Sequence, residues 1–217
     1  MTDFATVRTA MVDCQIRPSD VTLYPVIEAM LNVPREDYVP RELREVAYIG
    51  DHLPLAPNRV VLDARVMGKM LDALAIQPNE LVLDIGAGLG LSAALIAHLS
   101  EAVIALESDE AMAQEAEALL AGHSVDNAIV ETGALADGQA KHGPYDVIVI
   151  EGGVGEVPAN LLEQLKTGGR IAAIMMEGAL GRCMIGLKTE SGVDWRWSFD
   201  ASAPVLPGFE KRTIFAF

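Results

Sequence analysis

The chain has 217 residues and a mass of 23.2 kDa, enough for one substantial core and too little for two independent ones. With 51% apolar and 22% charged residues it is not a disordered chain, and every apolar run is broken well before the roughly 18 residues a membrane span needs. Thirty-one acids against 16 bases give a formal charge of −15, which repels nucleic acid and argues against it as a partner.

The first twenty residues, "MTDFATVRTAMVDCQIRPSD", lack the basic start and apolar core of a secretory signal, so the expected compartment is the cytoplasm. Cys14 and Cys183 belong to no ligand pattern and are expected as two buried thiols, with no disulfide and no metal site. His52, His98, His123 and His142 stand singly, which gives zinc no support. Helical apolar spacing runs from Val21 to Val33 and stops at Pro34, and "PRELREVAY" suits a short second helix. "IGDHLPLAPNRVV" carries enough turn breakers to be read as largely irregular. "DARVMGKMLDALAI" then resumes a helical period, with Val66, Met70, Leu71 and Leu74 on one side. Residues 1–76 thus form a helical cover, part of the same domain as the sheet unit of residues 77–217.

From residue 81 the rhythm becomes strand, loop, helix. "LVLDI" (81–85), "AVIALE" (102–107), "NAIVET" (127–132), "YDVIVIE" (145–151) and "GRIAAIMM" (169–176) are short aliphatic runs suited to strands buried on both faces. "LSAALIAHLS", "DEAMAQEAEALLAG" and "VPANLLEQLKTGG" between them read as helices, which makes βαβ units. "RCMIGLKTE", "VDWRWSFD" and "KRTIFAF" suggest an antiparallel edge.

The chemistry concentrates in "LVLDIGAGLG". A glycine turn between a first strand and a first helix lets backbone N–H groups approach a ligand. The dinucleotide spacing would put its third glycine at position 91, which is Leu91, so a nicotinamide nucleotide is disfavoured. Asp84 precedes Gly86, Gly88 and Gly90, where it would repel a pyrophosphate but attract the amine or sulfonium of an aminoacyl ligand. Glu107 ends the second strand, where a carboxylate takes ribose hydroxyls, with Ser108 beside it. Together these residues point to S-adenosyl-L-methionine.

The segments "MVDCQI", "VIEAMLNVPREDYVP", "AYIGDHLPL", "LVLDIGAGLGLSAALIAHL", "GPYDVIVI" and "VPANLLEQLKTGGRI" resemble the protein-L-isoaspartate O-methyltransferase family, within the class I S-adenosylmethionine-dependent methyltransferases. The resemblance implies an α/β, Rossmann-like fold: a seven-stranded, mostly parallel sheet of order 3-2-1-4-5-7-6, with an antiparallel C-terminal strand and an N-terminal helical extension. It implies that Gly86, Gly88 and Gly90 cradle the cofactor, with Asp84 at its methionine end and Glu107 on the ribose. It further implies methyl transfer to the carboxylate of isoaspartyl residues in proteins or peptides, the start of their repair.

Two positions depart from that family's pattern. Its Thr-Ile-Ser-Gln-Pro loop is replaced by "VVLDA", with Leu62 at the serine position and Asp63 following it. Its Gly-Asp-Gly after the third strand is Gly133, Ala134 and Leu135, so the acid expected at the adenine is absent unless Asp137 or Ser108 substitutes. Asp63 has two readings, a site residue that orients or deprotonates a different acceptor, such as an amine or hydroxyl, and the cap of the following helix. Arg65 is either a partner for a substrate carboxylate or part of a solvated face. Glu151, at the end of the fourth strand before Gly152 and Gly153, is a candidate acceptor-site residue, with a simple exposed acid as the alternative. Trp195, Trp197, Phe199 and Phe209 are expected to pack the sheet. Besides isoaspartyl methylation, two further functions stand: a methyltransferase for another acceptor, including a small molecule, and a catalytically inactive binding or assembly module.

Overall fold

The computed structural model describes residues 2–211. Its N-terminal part begins with α1 (Phe4–Met11), capped by Asp3, whose carboxylate accepts from Thr6 N at 3.3 Å. A π-helical turn over Val12–Ile16 and a 3-10 turn over Arg17–Ser19 lead to α2 (Tyr24–Asn32). This helix starts three residues later than its apolar spacing suggested. The amides of Thr22 and Leu23 both donate to Asp72 Oδ1 at 2.8 Å, and Pro25 sits in the first turn, where its missing N–H costs nothing. The short second helix takes the tighter 3-10 form, over Arg41–Val46.

One expectation fails in the next segment. "LPLAPNRVV" is not irregular but an antiparallel hairpin of β1 (Leu53–Ala56) and β2 (Arg59–Val61), forming a two-stranded sheet of its own. Pro57 and Asn58 make its turn, Asn58 supplying the left-handed φ of 59° that a turn with proline at its first central position takes at its second. The breakers that argued for a loop are the turn. Helix α3 (Ala64–Leu74) follows with Asp63 as its N-cap, and Val66, Met67, Met70, Leu71 and Leu74 are buried along one face. Each such side chain contributes about 1.5–3 kcal/mol on full burial.

The remaining elements are β3 (Leu81–Ile85), α4 (Leu91–Ala97), β4 (Ala102–Glu107), α5 (Glu110–Gly122), β5 (Ala128–Thr132), β6 (Tyr145–Val154), α6 (Ala159–Leu162), β7 (Leu165–Glu177), β8 (Leu180–Thr189) and β9 (Gly192–Asp200). They build a seven-stranded sheet of order β5-β4-β3-β6-β7-β8-β9, parallel from β5 to β7 and antiparallel beyond. Among the described residues the expected crossing of the last two strands is not found: counted from β3, the order is 3-2-1-4-5-6-7. Two-residue turns join β7 to β8 and β8 to β9, so each strand pairs with its neighbour in sequence. Helix α6 is also shorter than "VPANLLEQLKTGG" predicted, because Leu165 onward pairs with β6 as strand. "KRTIFAF" lies almost wholly outside the described residues.

Alternation along the central strands separates two apolar layers. Val82, Val103, Ala105, Val147 and Val149 join Met11, Ile16, Met30, Met70 and Leu71 in one continuous cluster under the N-terminal helices. Leu83, Ile85, Ile104, Leu106, Ile148 and Ile150 pack on the opposite face with Leu206 and Phe209 from the chain after β9. Of the expected thiols, Cys183 is buried but Cys14 is exposed, and both are free. Of the expected sheet-packing aromatics, Phe199 and Phe209 are buried, whereas Trp197 is 59% exposed and donates to Asp200 Oδ1 at 3.1 Å. No helix among the described residues is long and apolar enough to cross a membrane.

Candidate functional site

The same two-residue period that builds the layers aims three acids at one place. Asp84 shares its face of the sheet with Val82, Glu107 with Val103 and Ala105, and Glu151 with Val147 and Val149. Parallel register sets Asp84 opposite Ala105 and Val149, and Ile85 opposite Leu106 and Ile150. All three acids therefore emerge at the C-terminal ends of adjacent strands, beneath the N-terminal cover, where open α/β sheets bind ligands. All are buried: Asp84 and Glu107 are 0% exposed and Glu151 4%.

Glycine sets the shape of the loop above them. Gly86, Gly88 and Gly90 all have positive φ, 83°, 57° and 93°, a conformation that L side chains rarely adopt. A Cβ on Gly88 would lie 2.7 Å from Leu55 Cδ1, and one on Gly86 would lie 3.3 Å from Leu206 Cδ1. The loop amides have partners within the chain: Gly86 N donates to the Leu106 carbonyl at 2.9 Å and Gly88 N to Glu107 Oε2 at 2.8 Å.

Glu107 is the best-bonded acid of the three. Arg59, on β2, donates Nη1 to Oε1 at 2.6 Å and Nη2 to Oε2 at 2.5 Å, a bidentate pair sealed from solvent. The amides of Ser108 and Asp109 add bonds to Oε1 at 2.7 and 3.0 Å, and the Ser108 hydroxyl a longer one at 3.3 Å. Burial opposes the charge, but Arg59's hydrogen bonds and its positive charge, with the Asp109 and Gly88 amides, outweigh it and hold this carboxyl below its usual value.

Asp84 and Glu151 show the opposite balance. Asp84 Oδ2 accepts from the Ser92 hydroxyl at 2.6 Å, while Asp84 Oδ1 and Glu151 Oε1 are buried with no hydrogen-bond partner. Burial pushes Asp84 up to about 7. The Ser92 hydroxyl opposes that rise and the charge of Glu107 adds to it. Burial, then the nearby Asp84, push Glu151 well above the ordinary carboxylate range. Glu151 lines a cavity of about 20 Å³ together with Tyr38, Leu55, Leu62, Gly86, Ala87 and Ser92. That is room for about one water.

The structure brings Asp84, Gly86, Gly88, Glu107, Ser108, Glu151 and Leu62 to this centre, with Gly90 as the residue that starts α4. Leu62 is 1% exposed, and its carbonyl accepts from Arg35 Nη2 at 2.7 Å. Asp63 points elsewhere. Its Oδ1 accepts from Arg65 N at 2.7 Å as the cap of α3, and it lines a separate, wider cleft with His52, Arg65, Arg182 and Ser202. The exposed-acid alternative for Glu151 is overturned by its burial. Asp137 lies in the wall of other surface clefts and not beside the glycine loop, while Leu135 is buried in the layer of Leu83 and Ile85. Residues of this centre that were not singled out from the sequence include Arg59, Leu55, Leu206, Ser92 and Tyr38. A lone base inside "APNRVV" and single leucines carry no motif.

The donor set matches the cofactor's chemistry in part. Two buried carboxyl oxygens without donors, beside a loop whose three glycines leave its backbone open, suit the cationic methionine end of S-adenosylmethionine. The ribose side does not fit in this conformation, because Arg59 holds both oxygens of Glu107 and Leu55 covers Gly88.

Sheet, glycine loop and strand-end acids define the Rossmann-like fold that class I methyltransferases share. A family model described as protein-L-isoaspartate(D-aspartate) O-methyltransferase matches residues 8–182. Protein-L-isoaspartate O-methyltransferase 1 of Rhodopseudomonas palustris is 36% identical over 82% of this chain and 72% of its own length. The enzyme of Roseiflexus castenholzii is 35% identical over 78% and 77%. Among solved structures, a protein-L-isoaspartate O-methyltransferase superposes on 94% of this chain and 67% of its own with a TM-score of 0.81 at 20% identity. A Plasmodium falciparum structure described as a beta-aspartate methyltransferase in complex with S-adenosyl-L-homocysteine covers 95% and 99%, with a TM-score of 0.78 at 17% identity. The chain belongs to the protein-L-isoaspartate O-methyltransferase family, whose methyl donor is S-adenosyl-L-methionine.

Proposed function

We propose that this protein methylates the carboxylate of isoaspartyl residues in proteins or peptides, with S-adenosylmethionine as donor. The observation that carries the reading is the pair of unpartnered oxygens, Asp84 Oδ1 and Glu151 Oε1, buried beside the glycine loop in a member of this family. When bound, S-adenosylmethionine supplies a methyl group on a sulfonium, open to in-line attack by an oxygen nucleophile. Asp84 and the backbone of Gly86 and Gly88 would hold its methionine end, with Gly90 shaping the loop, and Glu107 with Ser108 would take its ribose end only with Arg59 displaced from that carboxylate.

A carboxylate acceptor is already a nucleophile at neutral pH and needs no general base, so leucine at position 62 leaves the chemistry possible. Orientation is what a lost serine removes. Glu151 can restore it: burial and the nearby Asp84 raise its carboxyl, and in its protonated form that carboxyl donates a hydrogen bond that an anionic acceptor can take. Asp63 is given the structural role of capping α3. Residues 1–76 act as the cover of one domain with the sheet unit, and the free thiols favour the cytoplasm as the place of action.

The test is an isoaspartyl peptide with labelled cofactor, against the same peptide in its normal linkage. Label confined to the isoaspartyl peptide is expected. Equal labelling of both would leave a methyltransferase with another acceptor. A second reading, an inactive binding or assembly module, is favoured by one observation, the 20 Å³ to which the central cavity is reduced.

A further inference from the structure

The hairpin of β1 and β2 is a small structure with an unusual cargo. It forms no part of the seven-stranded sheet, and Pro54, Pro57 and Asn58 are exposed. Yet it sends one arginine, 4% exposed, into the centre of the molecule. There the guanidinium takes both oxygens of Glu107 and lies 3.6 Å from where a Gly86 Cβ would be, while Leu55 of the same hairpin covers Gly88. A second closure comes from the opposite side. Leu206 is 1% exposed, and its side chain lies 2.7 Å from a Cβ built on Gly152 and 3.3 Å from one built on Gly86. This residue lies beyond position 182, where the family match ends.

We infer that the β1–β2 hairpin is a latch on the cofactor site, in which Arg59 stands in for the ligand at Glu107 and must withdraw before ribose hydroxyls can bond there. The inference rests on the methyltransferase reading and adds a gate to it. Three features fit a latch better than a permanent plug. A carboxylate that accepts two guanidinium bonds and several amide bonds has no free lone pair for a ribose, so the closed and bound states exclude each other at one atom pair. A buried ion pair gains little over the desolvation it requires, so exchanging one set of donors for another is a modest change. A two-stranded hairpin outside the main sheet is the kind of unit that opens without unfolding the domain. Leu53 and Val61 pack it onto the apolar layer below, and its polar anchors lie at its base. His52 Nδ1 accepts from Asp63 N at 2.8 Å, and the other ring nitrogen lies 2.8 Å from the Ser202 carbonyl.

Calorimetry with S-adenosylhomocysteine on the full-length protein and on Arg59→Met tests the latch. The variant keeps the stem's apolar bulk, and the amides of Gly88, Ser108 and Asp109 still serve Glu107. Binding at least tenfold tighter in Arg59→Met than in the unaltered protein is expected. Equal or weaker binding in the variant, with both proteins folded, overturns the latch and leaves the methyltransferase reading intact. Absence of binding to either folded protein at millimolar ligand overturns both. Should the variant not fold, hydrogen exchange on the unaltered protein decides. The latch requires that saturating S-adenosylhomocysteine raise exchange at the amides of residues 53–61 while lowering it at residues 86–90. Unchanged or slower exchange in the hairpin refutes it.

Discussion

Asp84 and Glu151 sit on adjacent parallel strands as two buried carboxyl groups, each with one oxygen that receives no hydrogen bond. Both are raised above their ordinary values, Asp84 to about 7 and Glu151 well beyond the carboxylate range. A carboxyl raised in the folded state binds more protons there than in the unfolded chain. Its contribution is therefore fully present below the unfolded value near 4 and declines as pH rises toward the folded value. Glu107, lowered by Arg59 and its amide donors, works in reverse and gives its stability away only as pH falls below about 4.

Urea midpoints should consequently be higher at pH 5.5 than at pH 8. The overall charge of −15 also grows more repulsive with pH, and Glu151→Gln separates the two effects. That variant removes one of the coupled carboxyls and leaves the surface charge nearly intact. It should be more stable than the unaltered protein at pH 8 and show a flatter fall between the two conditions. A midpoint that rises with pH in the unaltered protein would contradict the assignment of both groups.

Ala75 closes α3 in the left-handed conformation, at φ 47°. Its position is enforced by Arg170, which donates to the Leu74 carbonyl at 2.9 Å and the Ala75 carbonyl at 3.2 Å while pairing with Glu80 at 2.6 Å. Glycine has no Cβ to strain at such a site, so Ala75→Gly should stabilise the protein by about 0.5–1 kcal/mol. Thermal unfolding of the variant beside the parent measures it, and an unchanged or lowered midpoint would count against the strain.

How much of this was legible in the sequence depends on how local the cause is. The strands from β3 to β7 were legible because aliphatic runs bounded by glycine and acids have few alternatives. Asp84, Gly86, Gly88, Gly90 and Glu107 were legible because a strand-end loop around a ligand imposes residue types at fixed spacing. The hairpin at 53–61 was missed because Pro57 and Asn58 punctuate a turn and a loop alike, and the strands they join are too short to show alternation. Arg59 was illegible for a stronger reason: its partner is 48 residues away, and nothing in "NRVV" distinguishes a buried guanidinium from a solvated one. The strand order near the edge was set by turn lengths, which a resemblance to a family does not specify.

Asp63 had a catalytic and a structural reading, and geometry favours the second. Its carboxylate caps α3 through Arg65 N at 2.7 Å, with the Arg65 guanidinium 3.8 Å away. Asp63→Ala should cost about 1 kcal/mol, and Asp63→Asn a few tenths at most, because asparagine caps nearly as well. Methylation assays on the same pair make the distinction. If the cap is the whole role, Asp63→Asn retains the parent rate, whereas loss of a carboxylate that deprotonates the acceptor would remove most of it in both variants.

Leu62 stands where the family resemblance places a serine, and its burial sets what replacement would do. The side chain is 1% exposed and lines the central cavity with Tyr38, Met67 and Glu151. Leu62→Ser removes a buried isobutyl group and leaves a gap, which for comparable truncations costs about 2–5 kcal/mol. The new hydroxyl has two potential partners, because Glu151 Oε1 lacks one and an acceptor carboxylate would supply another. The variant should therefore unfold at a clearly lower temperature yet methylate isoaspartyl peptide faster than the parent when assayed well below that temperature. The gain should appear in kcat more than in KM, since a hydrogen bond that orients the attacking oxygen acts mainly in the transition state. A folded Leu62→Ser protein with no gain in rate would mean that the loop carrying residue 62 does not face the acceptor.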